Sequence, residues 1–122
     1  MSWYVLIGII LVFAYFTVTR ALGNLSAEAA HDYLSQGALV IDVRSEAEFA
    51  GKSIESVINI PLPVLSQQIA KAVPDKNTAV LLHCRSGNRS GQGMKILRDM
   101  GYEKTYNLGS YGHAAKVMAS QD

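Results

Sequence analysis

The sequence predicts an α/β domain: a small, mostly parallel sheet flanked by helices on both faces, preceded by one hydrophobic helix. Three observations carry this. Short β-prone apolar runs alternate with helix-like stretches from residue 24 onward, the order that gives parallel strands joined by crossover helices. Turn and stop residues punctuate the junctions, among them Gly37, Pro61, Pro74-Asp75-Lys76-Asn77 and Gly101. Ahead of all this lies a run from Trp3 to Thr19 that carries no charge.

That run, at about 17 residues, sits at the short end of what crosses a bilayer as a helix. Trp3, Tyr4, Tyr15 and Phe16 lie near its ends, where aromatic rings favour the membrane interface. Residues 1–23 are read as a single-pass transmembrane anchor, with an uncleaved signal-like segment as the alternative. A cleaved signal peptide fits less well. It needs a basic start, and Arg20 stands just before the small-residue triplet Ala21-Leu22-Gly23. A buried helix fits least, because the run is apolar on every face. The positive-inside tendency places Arg20 and the following domain on the cytoplasmic side. One arginine sets that preference, and an exported domain stays open.

Residues 24–122 form the domain. Asn24-Leu25-Ser26 is the linker into it, with Ser26 as helix N-cap and Glu28 in the first turn. Ala27, Ala30 and Leu34 make one apolar stripe, and Gly37 stops the helix. His31 reads as an exposed helix residue, since no second ligand stands four positions on. Ala38 to Val43 is a buried strand. Ser45 caps a short helix through Phe49, with Glu46 and Glu48 early in it. Val57-Ile58-Asn59-Ile60 is a short strand closed by Pro61, and Pro63 suits the first turn of a helix. In that helix Leu65, Ile69, Ala72 and Val73 share a face. Thr78 to His83 is the central strand. Ser90 to Met100 is the next helix, with Gly93, Ile96, Leu97 and Met100 as its core face. Gly91 and Gly93 weaken it unless the helix must pack closely on the sheet. Lys104 to Leu108 is the last strand. A final helix runs from about Ser110 to Ala119, with Ala114, Ala115 and Met118 inward.

Length and composition narrow the function. The 122 residues fit one domain. Eleven basic against ten acidic side chains leave a net charge of +1, no footprint for nucleic acid. A single cysteine excludes an intramolecular disulfide, a cysteine-only metal site and a resolving-cysteine cycle within the chain. No metal and no cofactor are expected.

That cysteine, Cys84, ends the strand Leu81-Leu82-His83 and opens the run Arg85-Ser86-Gly87-Asn88-Arg89-Ser90. A strand–loop–helix passage turns several backbone N–H groups inward, and the helix start adds partial positive charge. A thiol there has its thiolate favoured and becomes a nucleophile. The plainer role of a lone cysteine is a small buried hydrophobe; the polar, glycine-bearing run behind Cys84 argues against it. Arg85 and Arg89 together read as an anion pocket. Ser86 and Ser90 are placed to cap the helix or donate to the sulfur, with Ser90 as N-cap the competing role. His83 points to the opposite face of its strand and is read as packed. His113 is the other candidate base, or a surface histidine. Asp42, with no paired carboxylate, is read as structural support for loop backbone or an arginine such as Arg44.

These residues resemble a family. Ile41-Asp42-Val43-Arg44 with Glu46 and Phe49 resembles the "DVR…E/F" start of rhodanese-like domains. Val57-Ile58-Asn59-Ile60-Pro61 resembles their "A-x-N-I-P" strand, Cys84 to Ser90 their "C-x-x-G-x-R-S" active-site loop, and Tyr106-Asn107-Leu108-Gly109-Ser110 their "x-N-L-x-G-G" segment. Four motifs in order span Leu25 to about Met118. The resemblance implies a single-domain sulfurtransferase in which a cysteine thiolate takes the outer sulfur of a donor such as thiosulfate or a persulfide. The resulting persulfide then yields it to a thiol- or cyanide-type acceptor. It implies Cys84 as nucleophile, Arg85 and Arg89 as anion-binding side chains, and the backbone from Arg85 through Ser86, Gly87 and Asn88 to Arg89 as the cradle; Ser90 joins them as an anion-binding candidate, with Asp42 and Arg44 read as support. Phosphatases of the same fold use Cys-x5-Arg; here Cys84 to Arg89 is Cys-x4-Arg, the shorter sulfur-transfer form.

There are departures. Gly51-Lys52-Ser53-Ile54-Glu55-Ser56-Val57 replaces the usual "G-H-I-x-G-A" and is one residue longer, so this loop is expected to pack differently. Gly109-Ser110 replaces "G-G", which brings Tyr111 or His113 to the pocket border. The family's later tryptophan is absent. Two alternatives to a membrane-tethered enzyme stay open: a membrane-tethered sulfur carrier that delivers to a protein partner, and a non-catalytic rhodanese-like scaffold.

Overall fold

The computed structural model describes residues 2–121, with side chains of 17–23 excepted. Four parallel strands form one sheet in the order β2-β1-β3-β4. They are β1 (Leu39–Asp42), β2 (Ile58–Asn59), β3 (Val80–His83) and β4 (Thr105–Gly109). The helices are α1 (Trp3–Gly23), α2 (Ala27–Ser35), α3 (Glu46–Gly51), α4 (Leu65–Ala72), α5 (Asn88–Asp99) and α6 (Tyr111–Ala119), with a 3-10 turn at Leu62–Val64. The parallel sheet with flanking helices is the expected architecture.

Alternation along the strands builds two cores. Ile41, Val43, Val80, Leu82 and Cys84 pack with Leu65, Ile69 and Leu97 under α4 and α5. Val40, Leu81 and Leu108 pack with Ala30, Ala114 and Val117 under α2 and α6. All four β3 residues are buried, as a central parallel strand requires.

Two details bring α5 onto Cys84. Gly87, at φ +97°, stands in the left-handed region as N-cap of α5, a conformation glycine adopts without a Cβ penalty. A Cβ on Gly93 would lie 3.0 Å from Leu82 Cδ1 and 3.1 Å from Leu65 Cδ2. Glycine is what lets the helix lie this close to β3. Ser45 and Glu48 form a reciprocal capping box on α3, which fixes the direction in which the Glu48 side chain leaves the helix.

Three expectations shift. Ser90 is not the N-cap of α5; it lies inside the first turn, buried beneath Cys84. The inward face of α6 is Ala114 and Val117, with Ala115 and Met118 half-buried. His31 is not a free surface residue: its Nε2 donates to the Val117 carbonyl at 3.0 Å and pins α2 to α6.

The transmembrane anchor expected over residues 1–23 finds no support among the described residues. Helix α1 has 21 residues, and its described side chains from Ser2 to Phe16 are exposed. Among the described residues, no helix is long and apolar enough to cross a membrane. Thr17, Val18, Thr19, Arg20 and the Ala21-Leu22-Gly23 triplet lie outside the residues whose side chains are described.

Candidate active site

Cys84 follows β3 directly, at the carboxyl end of the sheet where α/β domains place their ligands. Its N–H donates to the Gly109 carbonyl at 3.1 Å, so the next strand fixes the residue's height. The sulfur is nearly inaccessible, with the residue 1% exposed. Gly87 N–H points at Sγ from 3.0 Å, and the N–H and hydroxyl of Ser90 each from 3.4 Å. Burial pushes the thiol pKa up. The Ser90 hydroxyl and the N–H groups of Ser90, Gly87 and Ser86 more than offset it, so the pKa lies below its ordinary value. Donors from Ser86, Gly87 and Ser90 thus surround Cys84 Sγ.

Asn107 holds that cradle. Its Oδ1 accepts from the Ser90 hydroxyl at 2.7 Å and from Gly109 N–H at 2.9 Å, while its Nδ2 donates to the Gly87 carbonyl at 3.0 Å. The sequence contained this residue in a motif, but nothing in its spacing revealed that one amide would bind both ends of the loop. Further stitches join Tyr111 N–H to the Arg85 carbonyl at 3.2 Å and pair Ser86 with Ser110.

The two arginines part company. Arg85 is exposed at the loop rim, as are Ser86 and Asn88. Arg89 instead grips Glu48 with a bidentate pair at 2.6 and 3.0 Å. The pair holds the Glu48 carboxyl well below the usual range, at about 2, through the Arg89 hydrogen bond first and the Ser45 N–H second. Arg89 thus ties the loop to α3, and its charge is balanced.

Asp42 and Arg44 pair with each other beside the loop. The buried Asp42 carboxylate accepts from Arg44 N–H at 2.9 Å, from its Nε at 2.9 and 3.1 Å, and from its NH2 at 2.7 Å. Arg44 NH2 also donates to the Lys52 carbonyl at 2.7 Å. Asn59 Nδ2 donates to the carbonyls of both Asp42 and Arg44 at 3.0 Å. The long loop after α3 sends Lys52 to the Tyr111 ring (4.9 Å to its centre), which Arg44 also contacts at 4.8 Å. In that loop Ser56 takes a positive φ of 69°.

Both candidate histidines contact backbone carbonyls. His113 Nε2 donates to the Leu25 carbonyl at 2.9 Å. His83 is fully buried on the opposite face, and its Nδ1 donates to the Cys84 carbonyl at 3.3 Å. Its Nε2 lies 3.8 Å from Asp42 Oδ2 and has no hydrogen-bond partner among the described residues. Burial pushes its pKa down by more than the Asp42 carboxylate raises it. Below a pH of about 6.5 the unfolded histidine takes a proton that the folded one refuses, so stability falls by up to about 1.4 kcal/mol per pH unit until the folded pKa is reached. Glu48 adds a second loss as pH drops from 4.5 toward 2. Denaturant midpoints between pH 8 and 5 are expected to slope for the natural chain and to flatten for His83→Gln. Equal slopes would refute the assignment.

A family model described as "Rhodanese-like domain" matches residues 26–112. The chain belongs to the rhodanese-like domain family. Among curated relatives, thiosulfate sulfurtransferase PspE of Escherichia coli is 44% identical over 69 residues, covering 57% of this chain and 66% of that protein. The chain thus spans just under two thirds of that relative. A solved E. coli rhodanese with anions superposes with a TM-score of 0.61 at 39% identity, covering 63% of this chain and 91% of that one. The human single-domain sulfurtransferase TSTD1 gives a TM-score of 0.64 at 24% identity, covering 82% and 98%, and supports the rhodanese-like fold alone.

Proposed function

We propose that this rhodanese-like domain is a sulfurtransferase that carries sulfane sulfur on Cys84. The observation that carries the reading is the convergence of Gly87 N–H, Ser90 N–H and the Ser90 hydroxyl on one buried sulfur. That arrangement stabilises an anionic sulfur before and after transfer. The Cys84 thiolate attacks the outer sulfur of thiosulfate, a new S–S bond forms, and the old one breaks with its electron pair leaving on sulfite. A thiolate or cyanide then attacks the outer sulfur of the persulfide and releases the Cys84 thiolate. The N–H groups of Ser86, Gly87 and Ser90 hold the sulfur. Arg85 and Asn88, exposed on the rim, receive the departing anion, and Arg89 acts through Glu48 to keep the loop in place. Asp42 and Arg44 support the floor. The E. coli relatives, one a thiosulfate sulfurtransferase and one a rhodanese with anions, favour thiosulfate as donor. A protein acceptor is compatible with the exposed rim.

We also propose that α1 attaches the chain to a membrane, with the domain on the cytoplasmic side. Support comes from the exposed apolar side chains Val5, Leu6, Ile9, Ile10, Leu11 and Val12 in an uncharged stretch. A helix apolar on all sides suits lipid better than a single protein groove.

The test is intact mass after thiosulfate is added to reduced protein. A gain of one sulfur atom is expected, absent in Cys84→Ser. No gain with thiosulfate or with a low-molecular-weight persulfide would overturn the reading and leave the non-catalytic scaffold.

A further inference from the structure

We infer that the cysteine-bearing end of the domain faces the membrane to which α1 attaches, so that the sulfur partner is one presented at the lipid interface. This rests on the membrane reading of α1 above. The evidence is where the chain leaves α1. Asn24 ends that helix and lies against the active-site loop: a Cβ on Gly109 would stand 2.8 Å from Asn24 Oδ1, and one on Gly87 3.7 Å from it. Gly87 N–H is one of the donors that reach the sulfur, and the Gly109 carbonyl accepts from Cys84 N–H. Leu25 is then pinned from both sides. Its N–H donates to the Asn107 carbonyl at 2.7 Å, and its carbonyl accepts from His113 Nε2 at 2.9 Å.

The tether cannot swing the domain round. Only Asn24, Leu25 and Ser26 separate α1 from α2, a reach of at most ~11 Å, and the middle one is held by two hydrogen bonds. The carboxyl ends of the strands therefore stay next to the end of α1, whichever way the helix tilts. The opposite end of the sheet, at Asn77, points away by a distance on the order of 25 Å, the width of a domain this size. Between tether and loop a cleft of about 460 Å³ is lined by Asn24, Leu25, Ser26, Ser86, Ser110 and His113. It leaves an approach to the loop from the helix side. An acceptor or donor held in the bilayer by its own anchor meets Cys84 through this side.

The test uses the full chain with Cys84→Ser, so that Ser86→Cys or Asn77→Cys supplies the single thiol for a fluorophore. Both positions are exposed. Each protein is reconstituted with phosphatidylcholine vesicles containing a lipid spin-labelled at its headgroup, and vesicle binding is measured first by flotation. Flotation with quenching severalfold stronger at position 86 than at 77 is the expected result. Flotation with equal quenching, or stronger quenching at 77, overturns the orientation while membrane attachment stands. Failure to float removes the membrane reading and the orientation with it.

Discussion

Asp42→Ala is expected to cost about 3–5 kcal/mol of folding stability, the usual penalty when one partner of a buried ion pair is removed. Arg44 is 6% exposed and Asp42 fully buried. The substitution leaves the guanidinium with the Lys52 carbonyl as its remaining hydrogen-bond acceptor among the described residues and orphans the Arg44 N–H. Domains of this size have only about 5–15 kcal/mol to lose. Urea midpoints give the measurement. Asp42→Asn should lose less, because an amide oxygen still accepts from Arg44 N–H. A loss below 1 kcal/mol for alanine would show that the pair is replaceable by water. The damage is expected to spread to the loop, since the Arg44 guanidinium lies on the Tyr111 ring and Tyr111 N–H holds the Arg85 carbonyl.

The parts of this protein that sequence revealed are those encoded by neighbours along the chain. Ser26 and Ser45 announced their helices because capping acts over three residues. Apolar runs announced the strands because parallel strands are buried on both faces. Asp42 was legible as a support because Arg44 stands two positions away. What stayed hidden depends on tertiary distance. Arg89 looked like an anion ligand because nothing local says that Glu48, forty-one residues earlier, captures it. His31 and His113 looked like surface or catalytic groups, yet each donates to a backbone carbonyl more than eighty residues away. Ser90 was ambiguous for a different reason. A serine before a helix and a serine one turn into it look alike in sequence, and Gly87 took the cap through its positive φ, which α5 needed in order to start earlier. Asn107 was invisible as a hub because its three partners converge only when β4 lies beside the loop.

The position of Ser90 leads to the second large effect. Its hydroxyl carries one proton, directed at Asn107 Oδ1 at 2.7 Å and at Cys84 Sγ at 3.4 Å. As the thiol ionises, the sulfur becomes the better acceptor, and Asn107 Oδ1 keeps its bond from Gly109 N–H. The proton can therefore turn to the sulfur at little cost. Among the groups that pull the Cys84 pKa down, this hydroxyl is the strongest. Ser90→Ala removes it but leaves the Ser90 and Gly87 N–H groups in place. Losing one hydrogen bond to an ionised group is worth about 1.5 kcal/mol, close to one pKa unit. The pH profile of iodoacetamide alkylation at Cys84 should move alkaline by about that amount, with reaction at fixed pH below the pKa slower by up to about tenfold. Sulfur loading from thiosulfate should slow in parallel. The folded fraction should hardly change, because no buried donor is left unpaired. An unshifted profile with intact folding would mean that the backbone N–H groups alone set the thiolate. The cradle would then depend on the conformation of Gly87 rather than on any side chain.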